Sequence, residues 1–214
     1  MALTAATGCV DAVSYLGLGQ VFTANMTGNL VVLGLAVGKA EVVRAGLSVV
    51  AFAAFAAGVL AGAWLARPAP VAVLWPAGVN RALLAELAIL CAFLAGWLIS
   101  GATPGLAMQY TLVVLSAAAM GVQSALTRRI AVAGVATTYI TGTLTAALAD
   151  LGTAGAARSS AVRAAGVLAS LVAGAAAGAA LMSAVPLAAP AVAVLLVAGV
   201  LAASHSLPRG APAG

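Results

Sequence analysis

Charge is almost missing from this chain. Only 6% of its 214 residues are Asp, Glu, Lys or Arg, against roughly 25% in an ordinary soluble domain. That scarcity excludes a water-exposed globule, which needs a charged surface to stay in solution. Cysteine is scarce too. Cys9 and Cys91 both lie in apolar runs, so they read as small buried hydrophobes rather than a disulfide or metal pair. Histidine occurs once, as His205 near the C-terminal end, so no histidine cluster can form. There is also no nucleophile–base pair, phosphate-cradling loop or haem spacing. The sequence therefore leads us to expect neither an enzyme nor a cofactor. The nine Lys and Arg are scattered through short polar stretches. They form no basic stripe, so the net charge of +5 reports membrane orientation rather than nucleic-acid binding.

What fills the chain is apolar: 64% of the residues, with a mean hydropathy of +1.20. The apolar runs are continuous rather than alternating, which excludes an outer-membrane β-barrel. Runs of about 20 apolar residues cross a bilayer as helices. The expected fold class is all-α and polytopic, with spans near 1–19, 43–66, 82–100, 106–127, 162–183 and 187–204. No cleavable signal peptide is expected, because the first run lacks a basic start and carries Asp11 in its middle.

One phrase occurs twice. Thr23-Ala-Asn25-Met-Thr27-Gly28-Asn29-Leu30 returns as Thr137-Thr138-Tyr139-Ile-Thr141-Gly142-Thr143-Leu144. Further matches join Gly8-Cys-Val-Asp11-Ala-Val-Ser14 to Gly121-Val-Gln123-Ser124-Ala-Leu-Thr127, and Gly58 and Gly62 to Gly174 and Gly178. The chain thus divides into residues 1–104 and 105–214, each ordered helix, motif, helix, helix. The distribution of cations chooses between topologies. If both motif stretches cross the membrane, the Lys and Arg residues split almost evenly between its two sides. If both are re-entrant, only Lys39 and Arg44 face away from all the others. The second arrangement obeys the positive-inside rule. It gives six spans, cytoplasmic termini and two inverted three-helix repeats.

Each Thr-Gly motif opens a short apolar run, near 27–38 and 141–150. A helix of that length covers about half of a bilayer core. Paired half-helices of this kind present their N-termini to a shared midplane cavity, as in transporters. The competing view is that Thr and Gly only allow close helix packing. Asp11 falls near mid-membrane, where an ionisable group reads first as functional. It is expected to carry a proton or meet a cation, or else to be a neutral structural group bonded to Ser14, Gln20 or Asn25. Glu86 lies near a span end and reads first as the interfacial partner of Arg81, with a site role as the alternative.

The candidate substrate-binding set is therefore Asp11, Ser14, Asn25, Thr27, Gly28 and Asn29 from the first half. Gln123, Thr138, Tyr139, Thr141, Gly142 and Thr143 complete it from the second. These motifs resemble the YoaK family of bacterial multi-pass inner-membrane proteins. The family's Gly-x-x-Asp-Ala and Met-Thr-Gly-Asn elements fall on Gly8, Asp11 and Ala12 and on Met26 to Asn29. Its Thr-Tyr-x-Thr-Gly-Thr-Leu element falls on residues 138–144. Fewer residues precede the first element here than is usual in the family. The resemblance covers essentially the whole chain and implies an inner-membrane location, but no substrate. The expected function is secondary transport of a small polar or anionic solute, coupled to protons. The alternatives are a passive channel or a non-transporting membrane scaffold. The bilayer and the solute are the expected partners, and the Gly-x-x-x-Gly notches serve either packing within the chain or a homodimer.

Overall fold

The computed structural model describes residues 1–67, 77–130 and 157–205, together with Gly142 and Thr145. The described chain is helical, in the order α1 (Ala2–Gly17), α2 (Met26–Gly38), α3 (Val42–Leu65), α4 (Ala77–Ile99), α5 (Leu106–Ile130), α6 (Ala157–Ala184) and α7 (Ala191–Ser204). Gly142 and Thr145 are helical and exposed. The remainder of the second Thr-Gly motif, with Thr138, Tyr139, Thr141 and Thr143, lies outside the described residues.

Turn chemistry sets the helix boundaries. Gly19 has φ +84°, a left-handed conformation that glycine adopts without penalty. Gln20 and Ala40 also adopt positive φ, at 60° and 55°. The Asn25 side chain caps α2 by accepting from the Gly28 N–H. A 3₁₀ turn, Pro186–Ala188, separates α6 from α7.

Among the described residues, five helical stretches are long and apolar enough to cross a bilayer: Val42–Leu65, Gly78–Ile99, Leu106–Arg128, Ala161–Ala184 and Pro186–Ser204. The first helix of the six-span expectation is present, but α1 has 16 residues. That is about 24 Å of rise against a ~30 Å hydrocarbon core. The outer surface is as apolar as the interior. Leu60, Trp64, Val172 and Leu195 are all well exposed, which suits acyl chains and would be untenable in water.

The central element is α5. In its most apolar stretch 72% is buried, against 17–33% in the other spans. α5 packs on α3 and α4, while α1 packs on α6 and α7. α1 thus sits against the last two helices described, and α5 against the two that precede it. Glycines make both contacts, and they correspond place for place. A Cβ on Gly8 would strike the Leu171 carbonyl and the Ala175 nitrogen, just as one on Gly121 would strike Phe55 and Val59. Gly174 lies on the backbone of Ala5 as Gly58 lies on that of Ala118. Gly178 meets Cys9 as Gly62 meets Val122. Small residues let helix backbones approach where the solvent offers no hydrophobic drive.

Two layers of apolar packing result. One joins Leu3, Ala6, Leu83, Leu90, Met120 and Leu126 to Val197. The other joins Cys9, Val13, Leu47, Phe93 and Trp97 to Leu112. Both cysteines are free thiols. Cys9 is buried as expected, whereas Cys91 is exposed on the outer face of α4.

Candidate functional site

The first motif folds into a clamp. Asp11 Oδ1 accepts hydrogen bonds from the backbone N–H groups of Thr23 and Ala24, both at 2.8 Å, and Oδ2 accepts from Asn25 at 3.2 Å. Charge-assisted bonds to backbone donors are among the stronger ones in proteins. Asn29 grips the same segment from the other end. Its Oδ1 accepts from the Phe22 N–H at 2.8 Å, and its Nδ2 donates to the Phe22 carbonyl. Ser14 Oγ donates to the Asp11 carbonyl at 3.1 Å, and Thr23 Oγ1 stands 3.5 Å from Ser14 Oγ. The Phe22 ring stacks on Tyr15 with centroids 5.0 Å apart. Gly28 makes room for this arrangement, since a Cβ there would lie 3.0 Å from the Phe22 ring and 2.9 Å from Asn25 Nδ2.

Asp11, Ser14, Asn25, Gly28 and Asn29 are therefore brought together, with one another and with the turn between α1 and α2. Thr27 is exposed beside them. The N-terminal donors of α2 are largely occupied from within the chain. Met26 N–H bonds the Ala24 carbonyl, Gly28 N–H bonds Asn25 Oδ1, and Asn29 N–H bonds the Asn25 carbonyl. Little of the half-helix N-terminus remains for a guest.

Gln123 belongs to a second polar group, where α5 touches α1. Its Nε2 donates to the Leu3 carbonyl at 3.0 Å and to Thr7 Oγ1 at 2.6 Å. Both N–H bonds of the amide are used, and this fixes its orientation. Oε1 is left buried without a partner, as is the hydroxyl of Thr4. Ser116, Ser124 and Thr127 add further buried polar side chains along α5.

Sequence reasoning misjudged Glu86. It is not an interfacial partner of Arg81. Its side chain is 0% exposed, and neither carboxylate oxygen has a hydrogen-bond partner. Residues five apart on a helix point about 140° away from each other, so Arg81 faces outward while Glu86 faces the core. The signal lay in helical phase. Glu86 shares its face with Val79, Leu83, Leu90 and Phe93, all buried. No group of three His, Cys, Asp or Glu able to hold a metal ion occurs among the described residues.

Described residues that are helical, with five membrane-length apolar helices among them and an apolar outer surface, define a multi-pass membrane protein. More particularly, residues 1–203 match the family model described as "Protein of unknown function (DUF1275)", and the chain belongs to that family. It is also 38% identical over 144 residues to the UPF0700 transmembrane protein YoaK of Bacillus subtilis (strain 168). That alignment covers 67% of this chain and 62% of the relative. The resemblance read from the motifs is thereby established. No solved structure matches the chain.

Proposed function

We propose that this protein is a secondary transporter of a small polar solute, built from two inverted repeats of three spans. The observation that carries the reading is the polar contact between α1 and α5. These two helices occupy equivalent places in the halves, and their inward faces hold most of the buried polar side chains. Thr4, Thr7 and Ser14 lie on one, and Ser116, Gln123, Ser124 and Thr127 on the other. Polar groups in a membrane interior are expensive, and where they occur they mark substrate and ion pathways. Gln123 Oε1 and Thr4 Oγ1 are buried and unpartnered, which leaves hydrogen-bonding capacity for a solute. The matched glycine contacts support the repeat, and midplane sites between inverted repeats are a recurring transporter design.

In this reading the solute meets the α1–α5 contact, and the Thr-Gly motif holds the frame around it. Asp11, Asn25 and Asn29 position the turn after α1. The protein sits in the bacterial inner membrane with its termini in the cytoplasm, as the one-sided distribution of Lys and Arg supports.

The test is a thermal-shift screen of purified protein against small organic acids, inorganic anions, amino acids and nucleobases, followed by counterflow in proteoliposomes. A ligand that binds only the folded state raises its melting temperature by mass action. The expected outcome is a stabilising solute class whose effect disappears in Gln123→Leu and whose labelled form is driven inward by counterflow. A hit that Gln123→Leu leaves untouched overturns the site. Flux that neither saturates nor shows counterflow makes the protein a channel. A flat screen favours the scaffold.

A further inference from the structure

Glu86 is the buried polar group that neither the clamp nor the α1–α5 contact uses. Its neighbours follow from helix register. Gly96 of α4 stands against Met108 and Leu112 of α5. A short turn joins the two helices, so they run antiparallel. Stepping back from Gly96 to Glu86, and forward by the same number of residues from Leu112, leads to Val122 beside Gln123. Register with α7 is fixed twice. Trp97 Nε1–H donates to the Pro186 carbonyl at 2.9 Å, and Ser204 Oγ lies 3.0 Å from Asn80 Oδ1. Both contacts set Glu86 opposite Val197 and Ala198. One turn away on either side, Leu83 and Leu90 belong to the same core cluster as Leu3, Ala6, Met120, Val122 and Val197. The carboxyl group thus lies where α1, α4, α5 and α7 converge.

Among the described residues, no counter-charge meets it there. α5 carries no charged residue before Arg128, and α7 carries none. On α1 the acidic group is Asp11, engaged by the turn. The side chain of Met1 lies against Gly166 of α6. On α3, Arg44 pairs with Glu41 at 2.9 Å, while Arg67, just beyond its end, lies over the Trp64 ring. Arg81, on α4 itself, is exposed. A carboxylate with neither cation nor donor in an apolar interior is strongly disfavoured.

We infer that Glu86 is an intramembrane proton-binding site. The carboxyl takes one proton from water on one side of the membrane and releases it to water on the other, with no other bond made or broken. The site gives the proposed transporter its coupling ion. It rests on that reading for its purpose but not for its existence.

The experiment is labelling with dicyclohexylcarbodiimide, an apolar reagent that adds to protonated carboxyl groups, on the full chain in lipid nanodiscs. Peptide mass spectrometry reads the product. We expect the Glu86 peptide to be modified in acid buffer and to lose that modification as the pH rises. Glu86→Gln should keep the fold and melting temperature while abolishing the label. A Glu86 that stays unlabelled at acid pH, but labels once the protein is denatured, overturns the proposal. So does protection by sodium at constant pH, which makes the site a metal-cation site. The label requires no solute, so failure to find transport sinks the transporter reading and leaves the proton site standing.

Discussion

Among the described residues, two acidic side chains lie within helices, in opposite surroundings. Asp11 reaches across a turn and takes three backbone N–H groups. Glu86 is wholly enclosed and takes none. From the sequence Asp11 looks like the functional carboxylate and Glu86 like an ordinary end-of-helix charge. Their partners draw a different contrast. Asp11 is engaged by the backbone donors of its own chain. A carboxylate left without partners in an apolar core has capacity unassigned by the fold, and unassigned capacity is what a transported species can use.

Substitutions sharpen this contrast, and the largest effect belongs to Asp11. Asp11→Leu strands three N–H groups at the turn and should cost about 3–5 kcal/mol, read as a fall in thermal or denaturant stability in lipid nanodiscs. Next comes Asn29→Leu, which breaks both bonds to Phe22 and should cost about 2–3 kcal/mol by the same readout. A smaller loss, about 1–2 kcal/mol, is expected for Asp11→Asn, whose carbonyl oxygen still serves Thr23 and Ala24 but whose amide faces the Asn25 N–H. The smallest effects belong to Glu86. Glu86→Gln should stay within about 0.5 kcal/mol of the parent, and Glu86→Leu should be neutral or stabilising by about 1 kcal/mol. The contrast breaks if Glu86→Leu unfolds the protein, or if Asp11→Leu is tolerated.

Much of the architecture could be read from the sequence because the bilayer imposes a coarse grammar. Missing charge gave the class. The runs at 43–66 and 106–127 correspond closely to α3 and α5, and the pairing of Gly58 and Gly62 with Gly174 and Gly178 anticipated the glycine contacts. Those notches are filled within the chain, by α5 and α1. The site was harder to read, for physical reasons. The partners of Asp11 are backbone N–H groups, and every residue but proline has one, so no residue type announces them. Glu86 was misread because closeness in sequence to Arg81 was weighed above helical phase. The role of Gln123 depends on α1 arriving beside α5, a long-range contact that no local pattern encodes.

The crossed seating of α1 and α5 has a consequence in time. A chain made from its N-terminus delivers α1 to the membrane well before α6 and α7 exist. Until they emerge, the groove of Gly8 and the backbone of Ala5 have no neighbour to close on. α5, by contrast, finds α3 and α4 already waiting. The second half of the newborn protein can therefore assemble on the first as soon as it appears. α1 is made before the helices that seat it, and α6 and α7 complete its packing.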